Sequence, residues 1–223
     1  MRWAFSAWAA VLLAIGLSTL PTGALAQRGY IAPEAATGYS EKSLAQAKSY
    51  MVSAANPLAV EAGVRILQEG GSAVDAAIAV QLVLNLVEPQ SSGIGGGAFL
   101  LHWDAETKEL KSYDGRETAP AAARPDRFLR DGRRIPFDEA VHSGLSIGVP
   151  GLVRLLEEVH RRHGKLPWAR LFEPAIALAE NGFPVSPRLN LLLTWMGAEN
   201  FDPAARRLYF SENGSAWPIG YRL

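Results

Sequence analysis

The feature that most constrains the fold is a continuous apolar segment at residues 73–87, AVDAAIAVQLVLNLV. After its first turn the polar residues are Gln81 and Asn85, followed by Glu88, and this i, i+4, i+7 spacing places them on one narrow stripe of a helix. Pro89 ends the helix, because proline has no N–H to donate. A helix with so little polar surface is buried on nearly all sides, so the sequence predicts a layered domain around it.

The signals for helix ends around this segment are local and strong. Asn56 is a good N-cap for an earlier helix, and Pro57 follows at the first helical position, where a missing N–H costs nothing. The glycines at 70–71 predict a left-handed end to that helix. Ser72 then restarts the chain as a helix, with Asp75 placed to complete a capping box.

Strand patterns lie on both sides of these helices. Residues 98–103, AFLLHW, and 109–115, ELKSYDG, predict an antiparallel hairpin joined by a short turn. Residues 50–55, YMVSAA, are interpreted as a first strand. The order of helices and an antiparallel hairpin predicts an α+β chain in which helices cover sheets, in preference to a regular βαβ alternation.

Further helices are predicted in the second half of the chain. One spans residues 150–163 and another spans 168–180, where Asn-Gly closes it. Pro184 and Pro187 are expected to interrupt the next segment, and from Glu199 onward the chain is polar and rich in turn residues.

The N-terminus has the pattern of a targeting segment. Arg2 is followed by an apolar run at residues 8–17 and by Ala-Leu-Ala at residues 24–26, which predicts a signal peptide, residues 1–26, cleaved before Gln27. A membrane anchor is the weaker alternative, because a span needs roughly 20 apolar residues. We therefore expect an exported protein, periplasmic or extracellular, without a membrane anchor after cleavage, and a linker over residues 27–48.

Charge and cysteine content exclude several classes of function. The chain has 22 basic and 22 acidic residues, and no long basic run, which argues against a nucleic acid partner. It contains no cysteine, so disulfides, thiol catalysis and thiolate metal sites are excluded. No cofactor and no metal site are expected.

The glycine cluster at residues 93–97 nominally fits a dinucleotide-binding motif. A dinucleotide site needs the order strand, glycines, helix, whereas here the predicted order is helix, glycines, strand. We reject that interpretation. A turn in which backbone passes close to backbone is favoured, and glycines that form the floor of a substrate pocket are the functional alternative.

Serines and histidines give weak signals. Ser91 and Ser92 lack the surroundings of a nucleophile elbow and are interpreted as turn or capping residues. Glu157 with His160 supplies half of a di-iron pattern without a second copy, so an ordinary amphipathic helix that also carries His163 is favoured. His102 and His142 are isolated.

Arg116 is the most informative charged residue. It follows the second predicted strand in YDGRETAP, where Gly115 gives the backbone room. An arginine can hold a carboxylate through two parallel hydrogen bonds. From spacing alone, an ordinary surface ion pair with Asp114 or Glu117 is the preferred explanation.

Several long blocks make the chain recognisable. The segments NPLAVEAGVRILQEGGSAVDAAIAVQLVLNLVEPQSSGIGGGAFLL, YDGRETAP, GVPG and GKLPWARLFEPAIALAENGFPVS closely resemble the large subunit of γ-glutamyltranspeptidases, also called glutathione hydrolases. The resemblance runs from about residue 49 to residue 192 and identifies residues 49–223 as the N-terminal portion of that subunit. It implies an N-terminal nucleophile hydrolase-type αββα sandwich, incomplete in this chain.

The resemblance also implies the chemistry. Family members are exported as an inactive precursor that cleaves itself, and the new N-terminal threonine of the small subunit attacks a γ-glutamyl amide. That threonine is expected beyond Leu223, so no catalytic residue is expected in this chain, which alone should be inactive. The implied partners are glutathione and other γ-glutamyl donors, amino acid or peptide acceptors, and the small subunit of the same precursor.

By the same resemblance, Arg116 grips the α-carboxylate of the γ-glutamyl group, and this role is now favoured over the surface ion pair. Asp114 and Glu117 are candidates for orienting it. The alternatives are a related acylase or poly-γ-glutamate depolymerase of the same fold, or an inactive truncated exported binding protein.

Overall fold

The computed structural model describes residues 43–223. The predicted signal peptide lies outside the described residues, as does the predicted linker up to residue 42. Residues 43–48 are exposed and belong to no helix or strand. No helix within the described range has the length and apolar character that a membrane span requires.

Helices dominate the described part of the chain. The α-helices are α1 (Pro57–Gln68), α2 (Ala73–Val87), α3 (Phe137–Val141), α4 (Leu152–His163), α5 (Glu173–Asn181), α6 (Pro187–Met196) and α7 (Pro203–Tyr209). The strands are β1 (Ala98–Asp104), β2 (Glu109–Gly115), β3 (Leu129–Arg130) and β4 (Arg133–Arg134). Short 3₁₀ helices cover Gly144–Ser146, Trp168–Phe172 and Ala198–Asn200. The predicted α+β class is confirmed.

Local capping sets the ends of α1 and α2 as predicted. Asn56 Oδ1 accepts a hydrogen bond from the Leu58 N–H at 3.0 Å, which satisfies one of the free donors at the start of α1. Gly70, beyond the end of α1, has φ of +89°, a conformation that glycine adopts without steric cost. Ser72 and Asp75 form the complete capping box at the start of α2.

Helix α2 is buried between two apolar clusters. On one side it packs with the end of α1, with α4 and with the β1–β2 hairpin, and on the other with the start of α1, with α6 and with the end of the chain. Fully burying one such side chain stabilises the fold by about 1.5–3 kcal/mol. The first cluster includes Ile66, Val74, Ile78, Leu82, Leu155, Val159 and Leu171; the second includes Ala59, Val83, Val87, Val185, Leu189 and Phe210.

The predicted hairpin forms, and its two faces differ sharply. Strands β1 and β2 pair antiparallel with Ala98 opposite Gly115 and Asp104 opposite Glu109. Leu100 and Tyr113 lie on the face that packs against the first cluster. The opposite face exposes a row of large apolar side chains to solvent: Phe99 by 67%, Leu101 by 70%, Trp103 by 58% and Leu110 by 63%.

Three predictions about the elements are wrong. Residues 50–55 alternate half-buried and exposed side chains but form no strand, because no neighbouring segment in the described range pairs with them. The predicted helix at 168–180 is a 3₁₀ helix followed by α5, because Pro174 cannot donate the N–H that would continue one ladder. Pro187 does not break a helix but begins α6, with Ser186 as its N-cap.

Candidate functional site

Three glycine-containing segments that are far apart in sequence meet at the end of the hairpin. The carbonyl oxygen of Gly96, in the loop before β1, accepts hydrogen bonds from the N–H groups of Gly151 at 3.1 Å and Leu152 at 3.0 Å. The carbonyl of Thr118, just after β2, accepts from the Val149 N–H at 2.9 Å. The start of α4 therefore holds the glycine loop and the segment after β2 together.

Glycine is required where these backbones touch. A Cβ atom on Gly97 would lie 2.6 Å from the Gly115 carbonyl oxygen and 2.8 Å from Arg116 Cα, which no side chain can tolerate without a shift. A Cβ on Gly151 would overlap the same Gly115 carbonyl. By contrast, a Cβ on Gly93 would meet nothing within 4 Å. The predicted close approach of backbone to backbone is confirmed at the end of the glycine cluster.

Arg116 projects from this junction. Its backbone N–H donates to Asp114 Oδ1 at 2.9 Å, so Asp114 fixes the turn of the main chain and not the guanidinium. Glu117 Oε2 lies 3.3 Å from Arg116 Nη1, and this oxygen makes no hydrogen bond within the described residues. The Arg116 side chain is 61% exposed. One nitrogen thus faces Glu117, and the rest of the planar fork is open to a ligand.

An open pocket of about 640 Å³ lies beside Arg116. This volume falls in the range of small-molecule sites. Gly95 lines the pocket, which agrees with the alternative that part of the glycine cluster floors a pocket. A second, smaller pocket of about 320 Å³ borders the other side of Arg116 and is lined in part by Arg154 and Glu158. The larger pocket is also lined by Glu117, Thr118, Ala119, Pro120, Ala123, Arg124, Arg127, Phe128, Leu145, Ser146, Ile147 and Gly148.

Two of the lining residues, Arg124 and Arg127, were not singled out from the sequence. The available signal was the density of arginine between residues 124 and 134, which holds five of them. In the structure, Arg130 pairs with Glu139 and lines a different pocket together with Arg133. The sequence alone does not show which arginines line which pocket, because the reversal of the chain at β3 and β4 places Arg130 and Arg133 in a different pocket from Arg124 and Arg127.

Ser91 and Ser92 follow α2 in a turn, as predicted. Ser92 Oγ accepts a hydrogen bond from Gln81 Nε2 at 2.7 Å and donates to Asn85 Oδ1. The narrow polar stripe of α2 thereby anchors the chain as it enters the glycine loop.

Three of the histidines, His102, His160 and His163, make packing or hydrogen-bond contacts, whereas His142 is exposed. His160 Nε2 lies 2.8 Å from the Leu166 carbonyl oxygen. His163 stacks on His102 with ring centroids 3.9 Å apart, and its Nε2 lies 2.7 Å from the Tyr113 hydroxyl. Burial, together with the nearby charges of His102, Lys111 and Arg162, lowers the pKa of His163. Within residues 43–223, no group of three or more histidine or acidic side chains could hold a metal ion.

Comparison with known proteins agrees with this geometry. The family model for gamma-glutamyltranspeptidase matches residues 59–223. The glutathione hydrolase proenzyme of Bacillus subtilis (strain 168) is 48% identical over 139 residues, which are 62% of this chain and 24% of that protein. The chain therefore spans about a quarter of the length of this curated relative.

Solved structures show the same likeness. Helicobacter pylori gamma-glutamyltranspeptidase matches with a TM-score of 0.75 and 32% identity, over 81% of this chain and 52% of that one. The Bacillus anthracis transpeptidase enzyme CapD matches with a TM-score of 0.63 and 36% identity, over 79% of this chain and 54% of that one. The predicted N-terminal nucleophile hydrolase-type fold is confirmed for the part covered: helices lie on one face of the hairpin, and the other face is bare.

Proposed function

The chain belongs to the gamma-glutamyltranspeptidase family. We propose that it forms part of an enzyme that acts as a γ-glutamyltransferase and glutathione hydrolase. The reaction cleaves the γ-glutamyl amide of a donor such as glutathione. The γ-glutamyl group then passes to water or to the amine of an amino acid or peptide.

The observation that carries this proposal is the exposure of the Arg116 guanidinium at the edge of the pocket. Its guanidinium is largely exposed at the edge of a pocket and is engaged by one carboxylate oxygen at 3.3 Å, while its backbone is fixed by Asp114. A γ-glutamyl donor differs from an ordinary peptide in presenting a free α-carboxylate beyond the reacting carbonyl. A bidentate pair between this carboxylate and Arg116 would select such donors and fix the position of their γ-carbonyl.

The nucleophile is proposed to be the N-terminal threonine of a small subunit, released when the precursor cleaves itself. The threonine hydroxyl attacks the γ-carbonyl carbon while its own α-amine accepts the hydroxyl proton. The C–N bond then breaks and the leaving amine takes a proton. Water or an acceptor amine finally attacks the ester and regenerates the hydroxyl.

The bare face of the hairpin supports a two-part enzyme. Phe99, Leu101 and Trp103 form an exposed apolar row, and patches of this kind mark surfaces that another protein element covers. We assign this face to a sheet completed by the small subunit. Export to the periplasm or the cell exterior is proposed on the signal-peptide pattern of residues 1–26.

The second candidate keeps the fold and changes the substrate: a related acylase or poly-γ-glutamate depolymerase, whose donor is a longer γ-linked chain or another acyl amide. The donor would still need a carboxylate for Arg116. Donor profiling separates the candidates: we expect glutathione to be preferred over poly-γ-glutamate and over β-lactam side chains.

The test is to express the complete reading frame that contains this chain and to assay release of a chromogenic γ-glutamyl anilide. We expect self-cleavage into two subunits, followed by turnover. A mature two-subunit product that releases no amine from any γ-glutamyl donor would refute the proposed function.

A further inference from the structure

Arg127 is a half-buried cation whose charge no carboxylate balances in the described structure. Its Nη2 donates to the carbonyl oxygens of Gly144 at 3.2 Å and Ile147 at 3.4 Å. Its Nε is buried and has no hydrogen-bond partner. Within residues 43–223, Arg127 forms no ion pair. Removing a charge from water without a counter-charge is costly, so the site is favourable for an anion.

The neighbouring charges do not compensate Arg127. The same pocket is lined by Arg116, Arg124 and Arg127, and Glu117 is the acidic residue among its lining side chains. Glu117 is paired with Arg116. Asp126, the nearest acidic residue in sequence, pairs with Arg124 on the exposed surface through one contact of 3.1 Å, from Arg124 Nε to Asp126 Oδ1. The pocket therefore carries a net positive charge that centres on Arg127.

Backbone contacts hold Arg127 in place. The two carbonyls it binds belong to the segment that closes the pocket on the side of Leu145 and Ile147. These carbonyl contacts fix the direction of the guanidinium, which reduces the side-chain entropy lost when a ligand binds. An arginine held in this way is a preorganised binding group and not a mobile surface charge.

We propose that Arg127 binds a second carboxylate, the one carried by the leaving amine of the donor and by the acceptor amine that replaces it. This proposal rests on the proposed function, in which Arg116 takes the α-carboxylate of the γ-glutamyl group. Glutathione ends in a glycine carboxylate on the leaving side of the scissile amide. In a two-step transfer the acceptor attacks from the position that the leaving amine vacates, so one cation serves both groups.

The test compares donors that differ only in the second carboxylate, using the mature enzyme. Glutathione carries this charge, its glycine ethyl ester lacks it, and a chromogenic γ-glutamyl anilide lacks both the charge and the peptide. In Arg127→Gln we expect KM for glutathione to rise about tenfold, because a charge-assisted hydrogen bond is lost. KM for the ester and the anilide should stay near the wild-type values, so the preference for acid over ester disappears.

A matched control is Arg133→Gln, which removes the same charge from the same arginine-rich region but outside this pocket. It should keep the acid-to-ester preference of the wild type. The acceptor arm measures transfer to glycylglycine and to its amide, and Arg127→Gln should weaken only the acceptor with the free carboxylate.

The outcomes are separable. Wild-type enzyme without turnover of the anilide would refute the proposed function. Normal anilide turnover, with an acid-to-ester KM ratio unchanged by Arg127→Gln, would overturn this inference alone, as would an equal rise in KM for all three donors. If Arg127→Gln fails to accumulate, the test uses the wild-type enzyme alone. Its KM for glutathione should then be lower than its KM for the ester, and added salt should reduce this difference. Equal KM values for the two donors would overturn the inference.

Discussion

The side chain of Asp75 accepts a hydrogen bond from the backbone N–H of Lys165 at 2.8 Å, although 90 positions separate them. The acceptor is Asp75 Oδ2, which also accepts hydrogen bonds from the Leu166 N–H at 3.1 Å and the Ser72 N–H at 2.8 Å. Asp75 is fully buried. One carboxylate therefore caps α2 and also fixes the chain that follows α4.

We expect Asp75→Ala to destabilise the mature protein by about 2–4 kcal/mol, because it leaves buried N–H groups without an acceptor. Ser72→Ala removes only the cap of α2 and should cost about 1 kcal/mol. Urea unfolding of the two variants measures the difference. Equal losses would show that the contact with Lys165 contributes nothing beyond the cap.

Gly97→Ala is expected to destabilise the junction of the three glycine segments by about 1–3 kcal/mol, through overpacking against the Gly115 carbonyl. Gly93→Ala is the control, since its Cβ would meet nothing within 4 Å. Thermal unfolding and donor KM should both change for the first variant and not for the second. A harmless Gly97→Ala would mean that the close approach is not rigid.

Arg116→Ala should raise KM for every γ-glutamyl donor by at least about tenfold, because all such donors carry the α-carboxylate. Steady-state kinetics with the chromogenic anilide measures this. The control is Arg65→Ala, which removes an exposed arginine paired with Glu69 at the end of α1, away from both pockets that Arg116 lines. Unchanged donor kinetics in Arg116→Ala would eliminate the carboxylate-binding role.

The lowered pKa of His163 predicts a loss of stability in acid. Burial is the main cause, and the positive groups of His102, Lys111 and Arg162 add to it, opposed by Asp104. Because the folded state holds the neutral ring, the unfolded chain takes up a proton first as the pH falls through roughly 6.5. The stability contribution of neutral His163 is thus present above that pH and declines below it, towards the lower folded pKa.

His163→Gln should flatten this part of the stability profile, measured as the unfolding midpoint between pH 7.5 and pH 5 in about half-unit steps. The control His142→Gln replaces an exposed histidine and tests whether the flattening is specific to His163. An identical acid loss in wild type and His163→Gln would show that another group titrates.

The bare hairpin face predicts different behaviour for the isolated chain and the mature enzyme. Residues 27–223 expressed alone should bind a hydrophobic dye and self-associate, and Leu101→Thr with Trp103→Thr should reduce both effects. If the small subunit covers this face as proposed, the same pair of substitutions should lower the stability of the mature enzyme. A monomeric, dye-negative isolated chain with a sharp melting transition would contradict this.

The sequence predicted what is decided locally. The caps at Asn56 and Ser72 and the pairing of the hairpin depend on neighbouring residues, and each lies where the pattern placed it. The strand predicted at residues 50–55 does not form, because a strand needs a pairing partner and no local pattern shows whether another segment lies beside it. Pro187 begins α6 instead of breaking a helix because it directly follows the N-cap Ser186, so the position of the proline relative to the cap, not its presence, determines its effect.

The candidate site was predictable only in part. Arg116 is singled out by its position in the sequence, whereas its carboxylate-binding role follows only from the family resemblance. The structure adds that Asp114 contacts its backbone and Glu117 its guanidinium. The roles assigned to these residues stay predictions. The contact of Gly97 and Gly151 with Gly115, and the place of Arg127 in the pocket, depend on segments distant in sequence, so composition and spacing could not reveal them.

Helix α2 has side chains in both apolar clusters, with Ile78 in one and Val83 in the other. Splitting the chain within α2 to make a two-fragment reporter would therefore disrupt both apolar clusters. The tight reversal at Asp131–Gly132 is the opposite case, since both residues have positive φ and their neighbours are exposed. Fragment complementation should tolerate a break there and fail within the helix.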